Sequence, residues 1–423
     1  MLKLIAESNR FGYYLSANFM RALMARKKYL PRAGIILLAW LLTGSLNPPP
    51  TAQDPDPTFT SPLPTLGSLK NCMNTALGAA CLDQLFRTAL KNHSTGEALQ
   101  LIERFSAEDP EFRRDCHPVV HAIGRETYRV KGNIHDSFLA CDQTCHSGCY
   151  HGSVERFLRG DDVYAQVDKH PSAAELKQKA AIACDPKVAY RYRFQCLHGL
   201  GHALLFFSRY QLSQALEVCD ALPDDWSRNS CYGGVFMENV SNATPETRDL
   251  SPTDYHYPCD KVDTKYRSEC YVMQTSRMTE MGLATEAIFK ECDKAGQFRE
   301  RCVLSVGRDL SNDVRFGNPL STAQKCELAT GNARNACMRG AAYALIDNTW
   351  DGRYALPFCA AFNQESDQNT CFSISAQYLK TTFEKSSAEI AQECTKHLSQ
   401  PARCVELASP LTALRTLTAP TPN

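Results

Sequence analysis

The sequence lacks a charge excess of either sign and any long apolar run. Its 423 residues carry 46 basic and 46 acidic side chains, and the pI is near 7.1. Without a basic surface, binding to nucleic acid or to an anionic membrane has no electrostatic support. The longest apolar run, residues 33–46, is shorter than the roughly 20 residues that a membrane-spanning helix needs. We therefore expect no nucleic-acid partner, and no membrane contact beyond the N-terminal segment.

Several catalytic signatures are also missing. The sequence contains no HExxH motif, no phosphate-binding loop, no dinucleotide fingerprint and no nucleophile elbow. The sequence alone therefore leaves open whether the protein is an enzyme.

Residues 1–46 have the layout of an export signal. A basic stretch at residues 26–28 precedes the apolar run at residues 33–46, which ends among small residues that suit cleavage. The length of this run favours a cleaved signal peptide, with an uncleaved N-terminal anchor as the alternative. Met20 and Met24 are alternative starts, because the stretch before them is unusually long for a signal. We expect a periplasmic or extracellular protein.

The rest of the chain divides by composition. Residues 47–66 contain seven prolines and are predicted to form an extended linker. Residues 67–409 are predicted to form a cysteine-rich helical domain, with its histidine-rich part at residues 116–202. Residues 410–423 are predicted to be a disordered tail.

Twenty cysteines are the most informative feature of the composition. Fourteen of them form seven pairs with 9 to 11 residues between the members, and successive pairs start 33 to 40 residues apart. The pairs are Cys184/Cys196, Cys219/Cys231, Cys259/Cys270, Cys292/Cys302, Cys326/Cys337, Cys359/Cys371 and Cys394/Cys404. Such a period is typical of stacked repeats, and so many paired cysteines indicate disulfides formed after export.

One repeat, residues 283–311, predicts a helical hairpin. Apolar residues at helical spacing end at Gly296, and a second periodic run starts at once. Cys292 and Cys302 lie about one turn on either side of this break, where antiparallel helices face each other at disulfide distance. Each pair is therefore predicted to staple one hairpin in this layout, and Cys72 and Cys81 to staple a first one. The fold class predicted is all-α.

This layout resembles the disulfide-stapled helical-hairpin repeats of the Sel1-like and tetratricopeptide class, over roughly residues 67–408. The resemblance implies a right-handed α-solenoid of about eight to nine repeats. In such an array each repeat contacts only its neighbours. The resemblance also implies a concave face that binds a protein or peptide partner.

The histidines concentrate where the cysteine pattern becomes irregular. Three segments resemble variants of one helix start, and each places two side chains four residues apart, on one helix face. These six candidate metal ligands are His117, His121, His151, Glu155, His198 and His202. Stacked repeats would bring the three faces to one pocket, and its donors suit Zn(II), Fe(II), Cu(II) or Mn(II). Glu155 is also the candidate for acting on a metal-bound water, with Glu126 and Glu238 as further possible ligands or bases.

Four cysteines in this region, Cys116, Cys141, Cys145 and Cys149, have no obvious pairing. Cys141, Cys145 and His146 form a lengthened variant of the c-type haem attachment motif, with one residue too many between the cysteines. We consider haem less favoured than structural disulfides, for which Cys141 with Cys149 and Cys116 with Cys145 is one solution.

Two hypotheses follow from the sequence. The first is an exported helical-repeat protein with a histidine-rich divalent-metal site, acting as a metalloenzyme or a metal carrier. The second is a cell-envelope scaffold for protein–protein interaction, in which the histidines only pack helices.

Overall fold

The computed structural model describes residues 62–75, 77–160, 171–185, 187–241 and 247–408. The predicted signal, most of the predicted linker and the predicted tail lie outside these residues. The described residues form helices, turns and loops without a strand. The all-α prediction is thus confirmed for this part of the chain. Within it, no helix combines the length and the apolar character needed to cross a membrane.

The helices follow one another with short connections. The first seven are α1 (Leu66–Met73), α2 (Gly78–Ala89), α3 (Thr95–Glu108), α4 (Pro110–Asp115), α5 (His117–Lys131), α6 (Ile134–Ala140) and α7 (Thr144–Arg159). The next seven are α8 (Ala173–Ala183), α9 (Tyr190–Phe207), α10 (Leu212–Cys219), α11 (Asp225–Ser241), α12 (Thr264–Met273), α13 (Thr275–Glu280) and α14 (Thr285–Cys292). The last are α15 (Arg299–Arg315), α16 (Pro319–Glu327), α17 (Asn332–Asp347), α18 (Ala355–Ala360), α19 (Glu365–Thr382), α20 (Ser387–His397) and α21 (Ala402–Ala408).

The hairpin predicted around Gly296 is present. Helix α14 ends at Cys292, a short 3₁₀ turn follows, and α15 begins at Arg299. Gly296 has φ of 60° and Gly331, in the next hairpin, has φ of 55°. Glycine adopts this left-handed backbone without the steric cost that a Cβ imposes. The two glycines therefore mark real chain reversals.

All twenty cysteines form disulfides, with Cα–Cα distances from 5.2 to 5.9 Å. Eight predicted staples are confirmed. They are Cys72–Cys81, Cys184–Cys196, Cys219–Cys231, Cys259–Cys270, Cys292–Cys302, Cys326–Cys337, Cys359–Cys371 and Cys394–Cys404.

Four of these staples depart from the predicted layout in the position of their second cysteine. Each of the four is the seventh residue of its helix, nearly two turns after the helix start, where we expected about one turn. They are Cys196 in α9, Cys231 in α11, Cys270 in α12 and Cys371 in α19. Two differences from the Cys292 hairpin combine: the second helix starts 5 or 6 residues after the first cysteine instead of 7, and the two cysteines are 11 or 12 residues apart instead of 10.

The same four cysteines are buried, with at most 2% of the surface of any of them exposed. Their sulfur atoms lie inside the packed hairpins rather than at an accessible surface. These cysteines therefore stabilise the fold and are not candidates for binding or reacting with a ligand.

The remaining two disulfides lie in the histidine-rich region. Cys141 pairs with Cys149, which staples α6 to α7. Cys116 pairs with Cys145 across 29 residues and joins the start of α5 to the start of α7. Both thiols of the haem-like motif are therefore used in disulfides.

The second helices of the hairpins contact one another in chain order, from α5 through α7, α9, α11, α12, α15, α17 and α19 to α21. Three of these contacts are especially close because glycines meet there. In α5 and α7, a Cβ on Gly124 would overlap the Cys149 carbonyl, and a Cβ on Gly152 would overlap the His121 carbonyl. Glycines also make the close crossings between α9 and α11 and between α15 and α17.

The expectation that each repeat contacts only its neighbours is wrong. The ring of Tyr150, in α7, stacks on Trp350 after α17 at 5.9 Å between centroids. His146 lies against the Arg315 guanidinium, 169 residues further along the chain. The period of a repeat shows which units are adjacent along the chain. It does not fix the rotation between units, and that rotation brings these distant segments together.

We expect Gly307→Ala to destabilise the protein. Its Cβ would overlap the Cys337 carbonyl oxygen, so α15 and α17 would have to separate. Overpacking of this kind typically costs about 1–3 kcal/mol. The measurement is the urea midpoint of unfolding.

Gly96→Ala is the matched control for this change. Its Cβ in α3 would approach only the Ser94 side chain, at 4.0 Å, and alanine is the better helix former. The explanation by backbone contact would be contradicted if both variants shifted the urea midpoint equally.

Candidate metal centre

The histidine-rich region forms the contact between four helices, α5, α7, α9 and α11. Helix α5 carries His117 and His121, α7 carries His151, and α9 carries His198 and His202. The helices that carry the histidines are held by disulfides, and the glycine contacts set the close helix spacing. The site is thus built from rigid helices rather than from loops.

His117 and His121 face each other through their Nε2 atoms, which lie 2.9 Å apart. The Nδ1 atom of His117 donates to the Cys145 carbonyl oxygen at 2.7 Å. The Nδ1 atom of His121 donates to a Glu155 carboxylate oxygen at 2.6 Å. Because a carbonyl and a carboxylate only accept, each Nδ1 carries a proton, and in a neutral ring Nε2 then presents a lone pair. With both rings neutral, two lone pairs face each other across this contact.

Glu155 is held in place by a chain of ion pairs. Arg125 donates to Glu155 at 2.7 Å and to Asp83 at 2.9 Å. Burial alone would raise the pKa of Glu155, but His121 and Arg125 lower it well below the ordinary value. The carboxylate is therefore ionised, and it fixes both the tautomer and the orientation of His121.

His151 is buried, with 3% of its surface exposed. Among the described residues, neither of its ring nitrogens has a hydrogen-bond partner. Its ring lies 5.5 Å from those of both His117 and His121, between centroids. Gly199 makes room for it, because a Cβ there would lie 3.0 Å from the His151 Cδ2 atom. A buried imidazole without partners is costly, which makes it the strongest indication of a ligand.

His198 and His202 lie beside His151. The His151 ring is 5.9 Å from that of His198 and 5.0 Å from that of His202. The Nδ1 atom of His202 contacts Glu238 at 2.9 Å, whereas its buried Nε2 has no hydrogen-bond partner within the described part of the chain. The Nε2 atom of His198 lies 3.4 Å from the Met237 sulfur.

The predicted single pocket for all six candidates is only partly formed. Possible ligand atoms of His117, His121 and His151 lie within 4.8 Å of one another. His198 and His202 contact this trio through the His151 ring. The reason is geometric: α9 packs mainly against α7, so the ring that its histidines contact is that of His151.

The three candidate carboxylates have other positions than the sequence suggested. Glu155 lies behind His121, with both oxygens bonded, so it does not join the Nε2 atoms. Glu238 lies behind His202 in the same way. Glu126 is fully buried and pairs with Arg87 and Arg129, so its charge is already neutralised.

Burial lowers the pKa of His117 and His151 well below the ordinary value, and the neighbouring histidines lower it further. Burial also lowers the pKa of His198, and the neighbouring His202 lowers it further. These rings are therefore neutral at physiological pH. Neutral imidazole is the form that binds metals.

Sequence reasoning missed several contributors to the site. Arg125 lies four residues after His121, so helical spacing could have indicated it. The Cys145 carbonyl and Asp83 left no comparable signal, because their approach depends on the tertiary fold. Met237 was missed because an isolated methionine usually reads as a core residue.

The first turn of α7, which presents the Cys145 carbonyl, does not have helical backbone angles. Cys145, His146 and Ser147 all have positive φ, from 49° to 62°, although none is glycine. Such residues cost about 1–3 kcal/mol each and persist only where surrounding structure enforces them. The Cys116–Cys145 disulfide supplies that constraint beside His117.

A second group of metal-ligand types lies near the C-terminal end of the described region, formed by Asp351, Glu393 and His397. Arg353 pairs with Asp351 at 2.6 Å, and Lys385 pairs with Glu393 at 2.8 Å. These cations already neutralise the carboxylates, so a metal ion would offset less unpaired charge here than it would satisfy unpaired nitrogens in the histidine cluster.

Comparisons of the chain with protein-family models, with curated proteins and with solved structures found no match.

We expect Arg125→Met to destabilise the protein strongly. The change removes the cation that bridges Glu155 and the buried Asp83, and removing one member of a buried ion-pair network typically costs about 3–5 kcal/mol. Adding Asp83→Asn and Glu155→Gln to this variant should restore much of the loss, because both carboxylate charges are then removed as well. The measurement is again the urea midpoint.

Arg403→Met is the matched control, since its exposed pair with Glu406 should contribute less than about 1 kcal/mol. Similar losses from both arginine variants would contradict the assignment of Arg125 to a buried network.

Proposed function

We propose that this protein is an exported helical-repeat protein that binds a divalent transition-metal ion. The ion would be held by the Nε2 atoms of His117 and His121 and by a ring nitrogen of His151. The observation that carries the proposal is the convergence of ring nitrogens of His117, His121 and His151 within 4.8 Å, where both nitrogens of the buried His151 lack a hydrogen-bond partner among the described residues. A cation between them removes the repulsion of the facing lone pairs and satisfies His151.

A shared proton is the main competing explanation for the short contact between His117 and His121. It would require one ring to be a buried imidazolium. Burial and the neighbouring rings lower the pKa of His117, which disfavours a positive charge on that ring, so the ring placed to carry the proton is His121, beside the Glu155 carboxylate. A proton between two rings would also leave both nitrogens of His151 without a partner. A metal ion accounts for all three rings.

The surroundings of these histidines match those of metal ligands. Metal-bound histidine commonly donates its other N–H to a carboxylate or a backbone carbonyl, which fixes the tautomer. His121 does so to Glu155, and His117 does so to Cys145. In this proposal Glu155 orients His121 rather than binding the ion or acting as a base.

Three neutral imidazoles suit Zn(II) or Cu(II) better than Mn(II), which prefers oxygen donors. They also leave one coordination position for water or for an exchanging ligand. That open position is compatible with a metal carrier and with metal-assisted hydrolysis. The protein groups around it favour the carrier, because the nearest carboxylate, Glu155, is fully engaged by His121 and Arg125.

The ten disulfides indicate an oxidising compartment, which supports the proposed export to the periplasm or the extracellular space. Contacts between successive second helices support the proposed solenoid of eight to nine stapled hairpins. A right-handed course, and a concave face that receives a protein or peptide, remain parts of the proposal that rest on the resemblance to Sel1-like and tetratricopeptide repeats.

Metal content tests the proposed function directly. Purified protein made without chelators should contain Zn or Cu by elemental analysis, and metal-free protein should bind Zn(II) in calorimetry. His121→Ala should weaken this binding by roughly 100-fold or more, because it removes a ligand. Glu155→Gln should weaken it about 10- to 100-fold, because it removes the partner that orients the ligand.

The matched control is His135→Ala, since His135 is exposed on α6 and away from the cluster. His397 is not suitable, because it belongs to the second group of possible ligands. Absence of metal in the native protein together with no Zn(II) or Cu(II) uptake would leave the scaffold hypothesis in place of this proposal.

Removal of the Cys116–Cys145 disulfide should also weaken metal binding. In the double variant Cys116→Ser, Cys145→Ser, the strained turn can relax and withdraw the Cys145 carbonyl from His117. We expect roughly a 10-fold loss of Zn(II) affinity, as for other lost partners of metal ligands. Calorimetry at constant pH measures it.

The double variant Cys394→Ser, Cys404→Ser is the matched control, because that disulfide joins α20 to α21. Unchanged Zn(II) affinity in the Cys116/Cys145 variant would show that the turn holds its shape without the disulfide.

A further inference from the structure

His151 lies between two pairs of histidines. On one side it contacts His117 and His121, and on the other it contacts His198 and His202. Within the described part of the chain, it is the one ring of the five in contact with both pairs. The two nitrogens of an imidazole point in diverging directions, so one ring can bind a different ion with each nitrogen.

Both positions have ligand atoms without hydrogen-bond partners. Among the described residues, Nδ1 and Nε2 of His151 and Nε2 of His202 are buried without one. One ion beside His117 and His121 can use only one nitrogen of His151. The other nitrogen, and His202, would still need a partner.

His202 shares one feature with His121, a carboxylate in contact with its Nδ1 atom. The Nδ1 atom of His121 contacts Glu155 at 2.6 Å, and the Nδ1 atom of His202 contacts Glu238 at 2.9 Å. In each case the carboxylate accepts a hydrogen bond from Nδ1–H, which directs Nε2 away from the carboxylate. His202 thus has a carboxylate behind its ring, as His121 has. The ligand atoms of His151, His198 and His202 do not all lie within 4.8 Å of one another, however, so these rings must turn toward a second ion.

The two candidate ion positions lie at two helix crossings of the same kind. The His121 carbonyl contacts Gly152 where α5 crosses α7, and the His198 carbonyl contacts Gly234 where α9 crosses α11. Three residues after each glycine stands the side chain that touches the histidine, Glu155 in the first crossing and Met237 in the second. At the position equivalent to Glu155, the second crossing therefore has a thioether. Its carboxylate, Glu238, follows one residue later and contacts His202 instead of His198.

We propose that the protein binds two metal ions that share His151. This inference rests on the proposed function and extends it. The first ion is bound by His117, His121 and His151. The second is bound by the other nitrogen of His151, by His202 and by His198, with the Met237 sulfur beside them.

The two positions differ in the metal that they favour. Three imidazoles suit zinc or copper, whereas a set that includes a thioether favours copper. Both nitrogens of His151 can bind only after the ring loses its N–H proton, which passes to solvent. Two nearby cations offset the negative charge that this loss creates.

Metal stoichiometry of the full chain tests the proposal. Metal-free protein incubated with Cu(II) and freed of excess ion should retain two copper ions per chain by elemental analysis. Its paramagnetic resonance signal should fall well below that of two isolated Cu(II) ions, because the shared ring couples their spins. Met237→Leu, which keeps the volume, should weaken copper binding at one position and leave Zn(II) binding at the other unchanged.

Two single variants separate the possible outcomes. His117→Asn and His202→Asn should each retain one copper ion, and the resonance signal of each should be that of an isolated ion. If the unmodified protein retains one ion and either variant removes it, the proposal of two ions that share His151 is overturned, whereas the proposed function stands. Two ions with full, uncoupled signals would overturn sharing through His151. No ion in the unmodified protein would overturn the proposed function itself.

Discussion

Close contact between helix backbones at paired glycines is the constraint on which the rest of the structure depends. Where α5 crosses α7, Gly124 and Gly152 allow each backbone to reach a carbonyl of the other helix. That distance decides which side chains meet. It brings His121 to Glu155, and the equivalent crossing of α9 and α11 brings His202 to Glu238. A methyl group at these glycines would separate the partners.

The disulfides and the glycines have different roles. Nine bridges close short loops of 8 to 12 residues and hold hairpins together. Such bridges stabilise each unit by restricting its unfolded chain. The tenth, Cys116–Cys145, joins two hairpins and enforces the turn whose carbonyl contacts His117. It is therefore the bridge that connects the stability of the fold to the geometry of the candidate metal centre.

Polar groups in the histidine cluster are arranged for a cation rather than for packing. A structural histidine normally satisfies both ring nitrogens within the protein. Here carboxylates and a carbonyl bind the Nδ1 atoms of His117, His121 and His202, which leaves lone pairs directed inward. The ion pairs from Asp83 through Arg125 to Glu155 keep the carboxylate ionised in a buried setting. The ionised carboxylate therefore holds the Nδ1–H of His121 and directs its Nε2 atom toward the other rings.

The sequence by itself determined the helical class, the hairpin staples and the helix faces that carry histidine, because each depends on spacing along a single hairpin. Gly296 and Gly331 marked chain reversals for the same local reason. Only the tertiary structure decided which faces meet. Helix α9 packs on α7, so His198 and His202 reach His151 rather than a common pocket, and Tyr150 meets Trp350 from a distant repeat. The rotation between successive hairpins sets these contacts, and it arises from backbone distances at helix crossings that no residue spacing encodes.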